Sequence, residues 1–339
     1  MRTDVIVVGA GPAGLAAAAS ARQEGLEVVV VDERNKAGGR RACGAIGQLP
    51  ADAAWWLPPL GDDRERARID RLSREAAEAE FVFGALAWGL FAGPTLAVTR
   101  SGRTMRIDAD QVILATGSYV ARPPIEGHEL DSVLTPAGVT CALDAHELGP
   151  EASIAVLGEG ALADGVIDEL RRRKVLSITR LVERPTPSEV PVRVLAAPPE
   201  LREAGGRVKV DVVLAGGESD SLSVDALVVA DAQVPASELA AMIGCRHRFA
   251  GYRRGFVPIH GVDGSTTVEG VFVAGALTGT VEAEHAERSG RIAGLAAAVR
   301  AGRGAAEALR AAIADAPDEK PIPETVPREI EGIDPGSAA

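Results

Sequence analysis

Gly9-Ala10-Gly11-Pro12-Ala13-Gly14, with Glu33 nineteen positions beyond the last glycine, is a residue set able to grip an adenine dinucleotide. Gly9 permits a tight turn, Gly11 lets the backbone approach a pyrophosphate, and Gly14 lets a helix pack closely on a strand. The pyrophosphate then rests on the unbonded N–H groups at the start of the helix, where the dipole is positive. An acidic side chain roughly 20 residues further on meets the adenosine ribose hydroxyls.

The elements that must hold these residues are legible. Thr3-Asp4-Val5-Ile6-Val7-Val8 reads as a buried strand, and an Ala-rich helix begins near Pro12. Gly25 stops that helix, and Leu26 to Val31 forms a second strand ending at Asp32-Glu33. A second set repeats the pattern: strand Ile154 to Leu157, then Gly158-Glu159-Gly160-Ala161-Leu162-Ala163 opening a helix that ends at Arg171-Arg172-Arg173-Lys174. Cations at that end suit the negative pole of the helix. Another strand, Ser177 to Val182, closes on Glu183, twenty residues after Ala163. Here Ala163 stands in the place of the third glycine. Gly158, Gly160, Ala163 and Glu183 would hold NAD(P)H or another adenine nucleotide; Glu183 favours NAD(H), since a carboxylate repels a 2′-phosphate, while Arg184 leaves NADP(H) open. A unit that keeps its shape without a ligand is the competing reading.

The chain of 339 residues suggests about two domains. A hydrophobic content of 46% with 25% charged residues fits a globular protein, and a net charge of −12 argues against nucleic acid as partner. No apolar run reaches the roughly 18 residues of a membrane span, and the chain starts on a strand, so a cytoplasmic location is expected. The three cysteines, Cys43, Cys141 and Cys245, form no CxxC pair, which leaves zinc, iron–sulfur and disulfide frameworks without support.

Between the two sets, Ala37-Gly38-Gly39-Arg40 is a glycine-rich turn, and Arg64 to Glu80 reads as an amphipathic helix on Ile69, Leu72 and Ala76. Leu96 to Ile107 is expected as a hairpin turning at Ser101-Gly102, and Gln111 to Ala115 as a separate buried strand. Thr116-Gly117 follows, and Arg122-Pro123-Pro124 suits a crossing between domains. Lys209 to Leu214 and Leu222 to Ala230 read as strands, Val271 to Gly275 as the last strand, and Ala283 to Val299 as a helix. Beyond Asp315 the composition is that of an extended tail.

Three motifs in order, Gly9 to Gly14 with Glu33, Ala115-Thr116-Gly117, and Gly270-Val271-Phe272-Val273-Ala274-Gly275, give a chain that resembles the two-dinucleotide-binding-domain flavoproteins, the superfamily of thioredoxin reductase and glutathione reductase. The resemblance implies an α/β fold of two Rossmann-like three-layer dinucleotide-binding domains, the second inserted into the first. The FAD domain would comprise residues 1–122 and 256–314, the nucleotide domain 123–255, and the tail 315–339. Asp32-Glu33-Arg34 with Gly38-Gly39, Val133-Leu134-Thr135-Pro136-Ala137-Gly138 and Ser289-Gly290-Arg291-Ile292-Ala293-Gly294 look like the FAD-containing alpha subunits of heteromeric amino-acid dehydrogenases, a group that includes one of the hydrogen cyanide synthase subunits and the corresponding subunits of opine and proline dehydrogenases.

By that resemblance FAD is held by Gly9, Gly11, Pro12, Ala13, Gly14, Asp32, Glu33, Arg34, Gly39, Arg40, Ala115, Thr116, Gly117, Gly275 and Ala276. The flavin performs the electron transfer, so no catalytic acid, base or nucleophile is named. A larger flavoprotein dehydrogenase or oxidase subunit, and a small iron–sulfur protein, are the implied partners. The sequence departs from the pattern in having Ala276 where Asp usually binds the ribityl hydroxyls, Arg40 where Gln is frequent, and no cysteine-rich C-terminal extension. Losing the Asp costs about 1.5–3 kcal/mol of FAD affinity. Two other functions stay open at this level: a self-contained NAD(P)H-dependent flavin reductase, and a scaffold with empty nucleotide sites.

Of the remaining chemistry-bearing residues, Cys43 follows the Gly-Gly turn and lacks a partner thiol, and His285 lies on the helix after the last strand, where it could tune a flavin. His247 and His260 have no ligand spacing. Trp55-Trp56, in a chain with 3% aromatic residues, read as a hydrophobic plug or as interface anchors.

Overall fold

Side chains of β1 (Arg2–Val8) alternate between two buried surfaces, so the first strand is the middle layer of a sandwich. Val5 and Val7 face a helical layer, while Ile6 and Val8 face a layer of strands. The computed structural model describes residues 1–39, 63–121, 124–250, 255–279, 283–316 and 322. These divide into two compact units, 1–118 with 235–322, and 119–234.

In the first unit β1 leads through α1 (Pro12–Gln23) to β2 (Val28–Asp32), and α2 (Asp63–Glu75) leads to β3 (Glu80–Phe83), β4 (Ala85–Phe91), β5 (Thr95–Arg100) and β6 (Arg103–Leu114). The expected hairpin arm and the expected separate strand at Gln111 are one continuous strand, β6. Its first half pairs antiparallel with β5, and its second half lies parallel to β1. Asp108 and Ala109 are not a break: Asp108 takes part in both pairings, and Ala109 pairs with Thr3 of β1. Helix α2 ends at Glu75, short of the expected Glu80, which instead begins β3 and pairs with Val29.

The chain leaves through β7 (Ser118–Ala121). The second unit contains β8 (Val133–Leu134), α3 (Pro136–Asp144), β9 (Ser153–Leu157), α4 (Ala161–Arg172), β10 (Ser177–Val182), β11 (Val192–Val194), β12 (Glu200–Ala204), β13 (Arg207–Val213), β14 (Ser219–Val224) and β15 (Ala226–Val229). Its parallel sheet has the order β11-β10-β9-β15-β8, beside an antiparallel meander β12-β13-β14. The chain returns through β16 (Ala232–Pro235), which pairs with β7.

The first unit is completed by α5 (Glu238–Met242), β17 (His247–Phe249), β18 (Phe256–Pro258), β19 (Val271–Val273), α6 (Ala283–Arg300) and α7 (Ala306–Ala314). Its return therefore falls at residue 235 rather than 256. Leu239, Ala240 and Cys245 are the physical reason: they are buried in the core of the first unit among Leu90, Leu96 and Val98. Strand β19 joins the far side of β6, giving the parallel run β3-β2-β1-β6-β19. Helix α7, for which the sequence raises no expectation, lines up Leu309 and Ala312 against the helical layer. Within the expected tail, Ile322 exchanges backbone hydrogen bonds with His260 at 3.1 Å each way. No helix among the described residues is long and apolar enough to cross a membrane.

Helices α1 and α6 touch through small residues. A Cβ on Gly290 would collide with the Ala13 carbonyl, and one on Gly294 with the Ala17 carbonyl and the Ser20 hydroxyl. Ser20 Oγ donates to the Arg291 carbonyl at 3.1 Å. Helix α2 is fastened to α6 electrostatically, with Arg71 Nη2 2.8 Å from both carboxylate oxygens of Glu287.

Candidate functional site: two glycine loops

The first glycine loop is fixed by the elements around it. Gly9 has φ +105°, and a Cβ there would strike the Ala115 carbonyl at the end of β6. A Cβ on Gly14 would strike the Gly9 carbonyl, so the loop and the first turn of α1 are in backbone contact. Gly11 is the N-cap and has no side-chain cap, with Pro12 supplying the helical φ just inside it. The leading N–H groups of α1 are thereby offered to an anion.

The strand end is tied to the loop by Asp32. Its carboxylate accepts the Ala10 N–H at 2.6 Å and the Arg34 N–H at 2.8 Å. Burial pushes the Asp32 carboxyl above its ordinary value, opposed by these two bonds and by the Arg34 charge. Asp32 thus positions the loop, and the neighbouring Glu33 is the exposed acidic side chain.

Other expected residues converge on the same helix end. The Gly38 N–H donates to the Ala10 carbonyl at 2.8 Å, and a Cβ on Gly39 would lie 3.0 Å from Gly11 Cα. Gly275, at φ +71°, is so close to α1 that a Cβ would lie 2.6 Å from that of Ala13. It opens a short 3-10 turn (Gly275–Thr278), and its N–H donates to Ser289 Oγ on α6 at 2.9 Å. Ala276 is half-buried beside it. Thr116 Oγ1 donates to the Ala236 carbonyl at 2.7 Å and the Ala236 N–H to the Gly117 carbonyl at 3.0 Å. Gly117 itself faces open space. Arg40, Cys43, Trp55 and Trp56 lie outside the described residues.

The second loop repeats the backbone of the first. Gly9 N–H donates to the Val31 carbonyl at 2.8 Å, and Gly158 N–H to the Leu181 carbonyl at 3.0 Å. A Cβ on Gly158 would strike the Ala230 carbonyl, as one on Gly9 would strike Ala115. Gly160 caps α4, and Ala163 is fully buried against the strand. The chemistry differs. Glu159 Oε1 accepts the N–H groups of Glu183 and Arg184 at 3.2 and 2.8 Å, and its Oε2 pairs with Arg184 Nη2 at 2.7 Å. Arg180, 1% exposed, donates from Nε to the Gly158 carbonyl at 3.2 Å and from Nη1 to Asp164 at 2.7 Å. Sequence reasoning misses both Glu159 and Arg180, although an acidic residue between two motif glycines and an Arg inside a strand of otherwise apolar inward positions are visible signals.

The thiols offer no low-pKa nucleophile among the described residues. Burial pushes up both Cys141, where Asp144 adds to it, and Cys245. His247 Nδ1 lies 2.8 Å from the Cys245 carbonyl, and buried His260 lies with Nδ1 2.9 Å from the Gly261 carbonyl. His285 is half-buried near the start of α6.

Residues 3–185 match the family model described as pyridine nucleotide-disulphide oxidoreductase. The chain belongs to this family. A subunit of opine oxidase from Agrobacterium tumefaciens (strain Ach5) is 27% identical over 87% of the chain and 65% of that protein. The alpha subunit of sarcosine oxidase from Corynebacterium sp. (strain P-1) is 28% identical over 89% of the chain and 33% of that protein. The chain therefore spans less than two thirds of the length of these relatives. In fold it is similar to the L-proline dehydrogenase from P. horikoshii (TM-score 0.69, 23% identity, 97% of this chain and 61% of that one) and to the T. acidophilum thioredoxin reductase (TM-score 0.70, 20% identity, 88% and 99%). The expected resemblance and two-domain Rossmann-type fold hold, and the family is one of FAD-dependent oxidoreductases. The family and the flavoproteins of similar fold imply FAD and NAD(P) as its dinucleotides.

The first loop fits FAD. The uncapped helix start offers free N–H groups to a pyrophosphate, exposed Glu33 stands at the strand end for the ribose, and open space at Gly117 leaves room beside them, while Gly39 packs its backbone on Gly11 and walls the loop.

Proposed function

We propose that this protein is a cytoplasmic FAD-binding subunit of a heteromeric oxidase or dehydrogenase acting on an amino acid or related amine. The similarity to the opine oxidase relative across 87% of the chain, joined to a complete glycine cradle at α1, carries the reading. Both the opine and the sarcosine oxidase relatives are named as subunits.

In this reading Gly9, Gly11 and Gly14 seat the FAD pyrophosphate, and Glu33 holds the adenosine ribose. Pro12 and Ala13 set the helix start, and Asp32 and Arg34 hold the strand end. Gly39 walls the loop, and Ala115, Thr116, Gly117, Gly275 and Ala276 shape the cleft. When bound, FAD supplies hydride or electron transfer between substrate and acceptor. The chain's residues orient it and exclude water. The sequence has no CxxC pair, so dithiol exchange is outside the reading.

The partner is a larger flavoprotein dehydrogenase or oxidase that binds the amine, with a small iron–sulfur protein as the further electron carrier. The test is to purify the chain alone and co-expressed with the products of adjacent genes, and to identify the released nucleotide by mass. A yellow chain releasing FAD, and amine-dependent dye reduction only in the co-purified complex, is the expected outcome. A colourless chain, or full amine dehydrogenase activity in the isolated chain, overturns the reading.

A further inference from the structure

The two glycine loops carry opposite carboxylate arrangements. Their shared backbone register equates Val31 with Leu181, hence Asp32 with Val182, Glu33 with Glu183, Arg34 with Arg184 and Ala10 with Glu159. In the first loop the carboxylate sits on the strand, and the loop residue is a fully buried alanine whose methyl does not reach toward the strand end. In the second the strand offers Val182 and the carboxylate comes from the loop, crossing toward the strand end.

We propose that Glu159 is an internal occupant of the second nucleotide cradle, and that its clamp on residues 183 and 184 closes this unit to adenine dinucleotides. Three observations support it. The Glu159 side chain is 9% exposed, so its carboxylate fills the gap between loop and strand where the ribose would lie. It takes the backbone N–H groups of Glu183 and Arg184, and Arg184 grips it through both Nε (3.2 Å) and Nη2 (2.7 Å). A two-point Arg–carboxylate pair is among the stronger polar contacts and is geometrically specific. Finally, α4 carries Asp164 in its first turn where α1 carries no acidic residue. Asp164 is held by Arg180 and Glu159 by Arg184, so the side chains around this helix start are already engaged with one another.

The nicotinamide dinucleotide implied by the family therefore does not fit this loop as it stands. The inference concerns the second unit alone and stands or falls separately from FAD binding at the first. It removes a nicotinamide dinucleotide bound at this unit as a source of electrons.

The experiment is calorimetric titration of the full chain with NADH and with ADP-ribose, in saturating FAD so that the first cradle is filled. The wild-type chain is expected to show no saturable binding up to about 1 mM, and Glu159→Ala, which restores the small residue of the first loop, to bind at least about tenfold more tightly. Saturable micromolar binding by the wild-type chain overturns the proposal and needs no variant to do so. A folded Glu159→Ala chain as silent as the wild type overturns it as well, since the closure would then not be the work of Glu159. The visible spectrum of each sample reports FAD independently.

Discussion

The carboxylate of Asp32 accepts the N–H of Ala10 across 2.6 Å, joining the end of the second strand to the middle of the glycine loop. Together with the Gly9 N–H to Val31 carbonyl bond at 2.8 Å, it holds the loop in the shape that presents the start of α1. Asp32→Ala leaves the Ala10 and Arg34 N–H groups without their acceptor, at a cost of about 1–3 kcal/mol for a buried donor. Lowered thermal stability and FAD lost on gel filtration are expected; a variant that keeps both unchanged would show that the loop is held by other contacts.

Ala276 stands where the flavoprotein resemblance expects an Asp on the ribityl hydroxyls. Ala276→Asp should tighten FAD by about one to two decades, the worth of a charge-assisted hydrogen bond. Quenching of flavin fluorescence gives the dissociation constant directly. No gain would mean that another group already holds the ribityl chain.

Two glycine substitutions should act with opposite sign. Gly290→Ala drives a methyl into the Ala13 backbone at the α1–α6 contact, and overpacking there costs about 1–3 kcal/mol. Gly165→Ala, inside α4 with nothing within 4 Å, gains up to about 1 kcal/mol of helix propensity. Melting temperatures of the two variants decide the matter.

His260 predicts a pH dependence. Burial holds the imidazole below its ordinary pKa, against the Gly261 and Thr278 backbone and the Asp263 charge. Because the folded state resists protonation, the stability of the neutral form is complete above the unfolded pKa of about 6.5 and falls as the pH drops below it. His260→Gln should flatten the fall in melting temperature between about pH 7.5 and about pH 5.5, the interval that brackets that pKa. An unchanged slope would assign the effect to other groups.

Where residue type alone dictates conformation, the sequence is readable. Gly9 and Gly158 are forced by backbone collisions with the strand beside them, and both β-α-β units follow from that necessity. What escapes depends on distant partners. β6 reads as two strands because its exposed first half pairs with β5 and its buried second half lies between β1 and β19. The return at residue 235 depends on Leu239 and Ala240 finding the core beneath β4 and β5, which no local pattern announces. Glu159 is visible in the motif as a letter, but its role is set by where Arg184 stands, twenty-five positions away.

The contact between α1 and α6 also sets an order of events during synthesis. Residues 12–23 cannot meet their packing partner until residues 283–300 have left the ribosome, whereas every strand of the parallel sheet at 133–229 is available well before then. The second unit is thus free to close while the first still lacks β19 and its helical cover, and the apolar face of α1 waits through that interval. The dinucleotide cradle, encoded in the opening residues of the chain, is among the last parts of the protein to become complete.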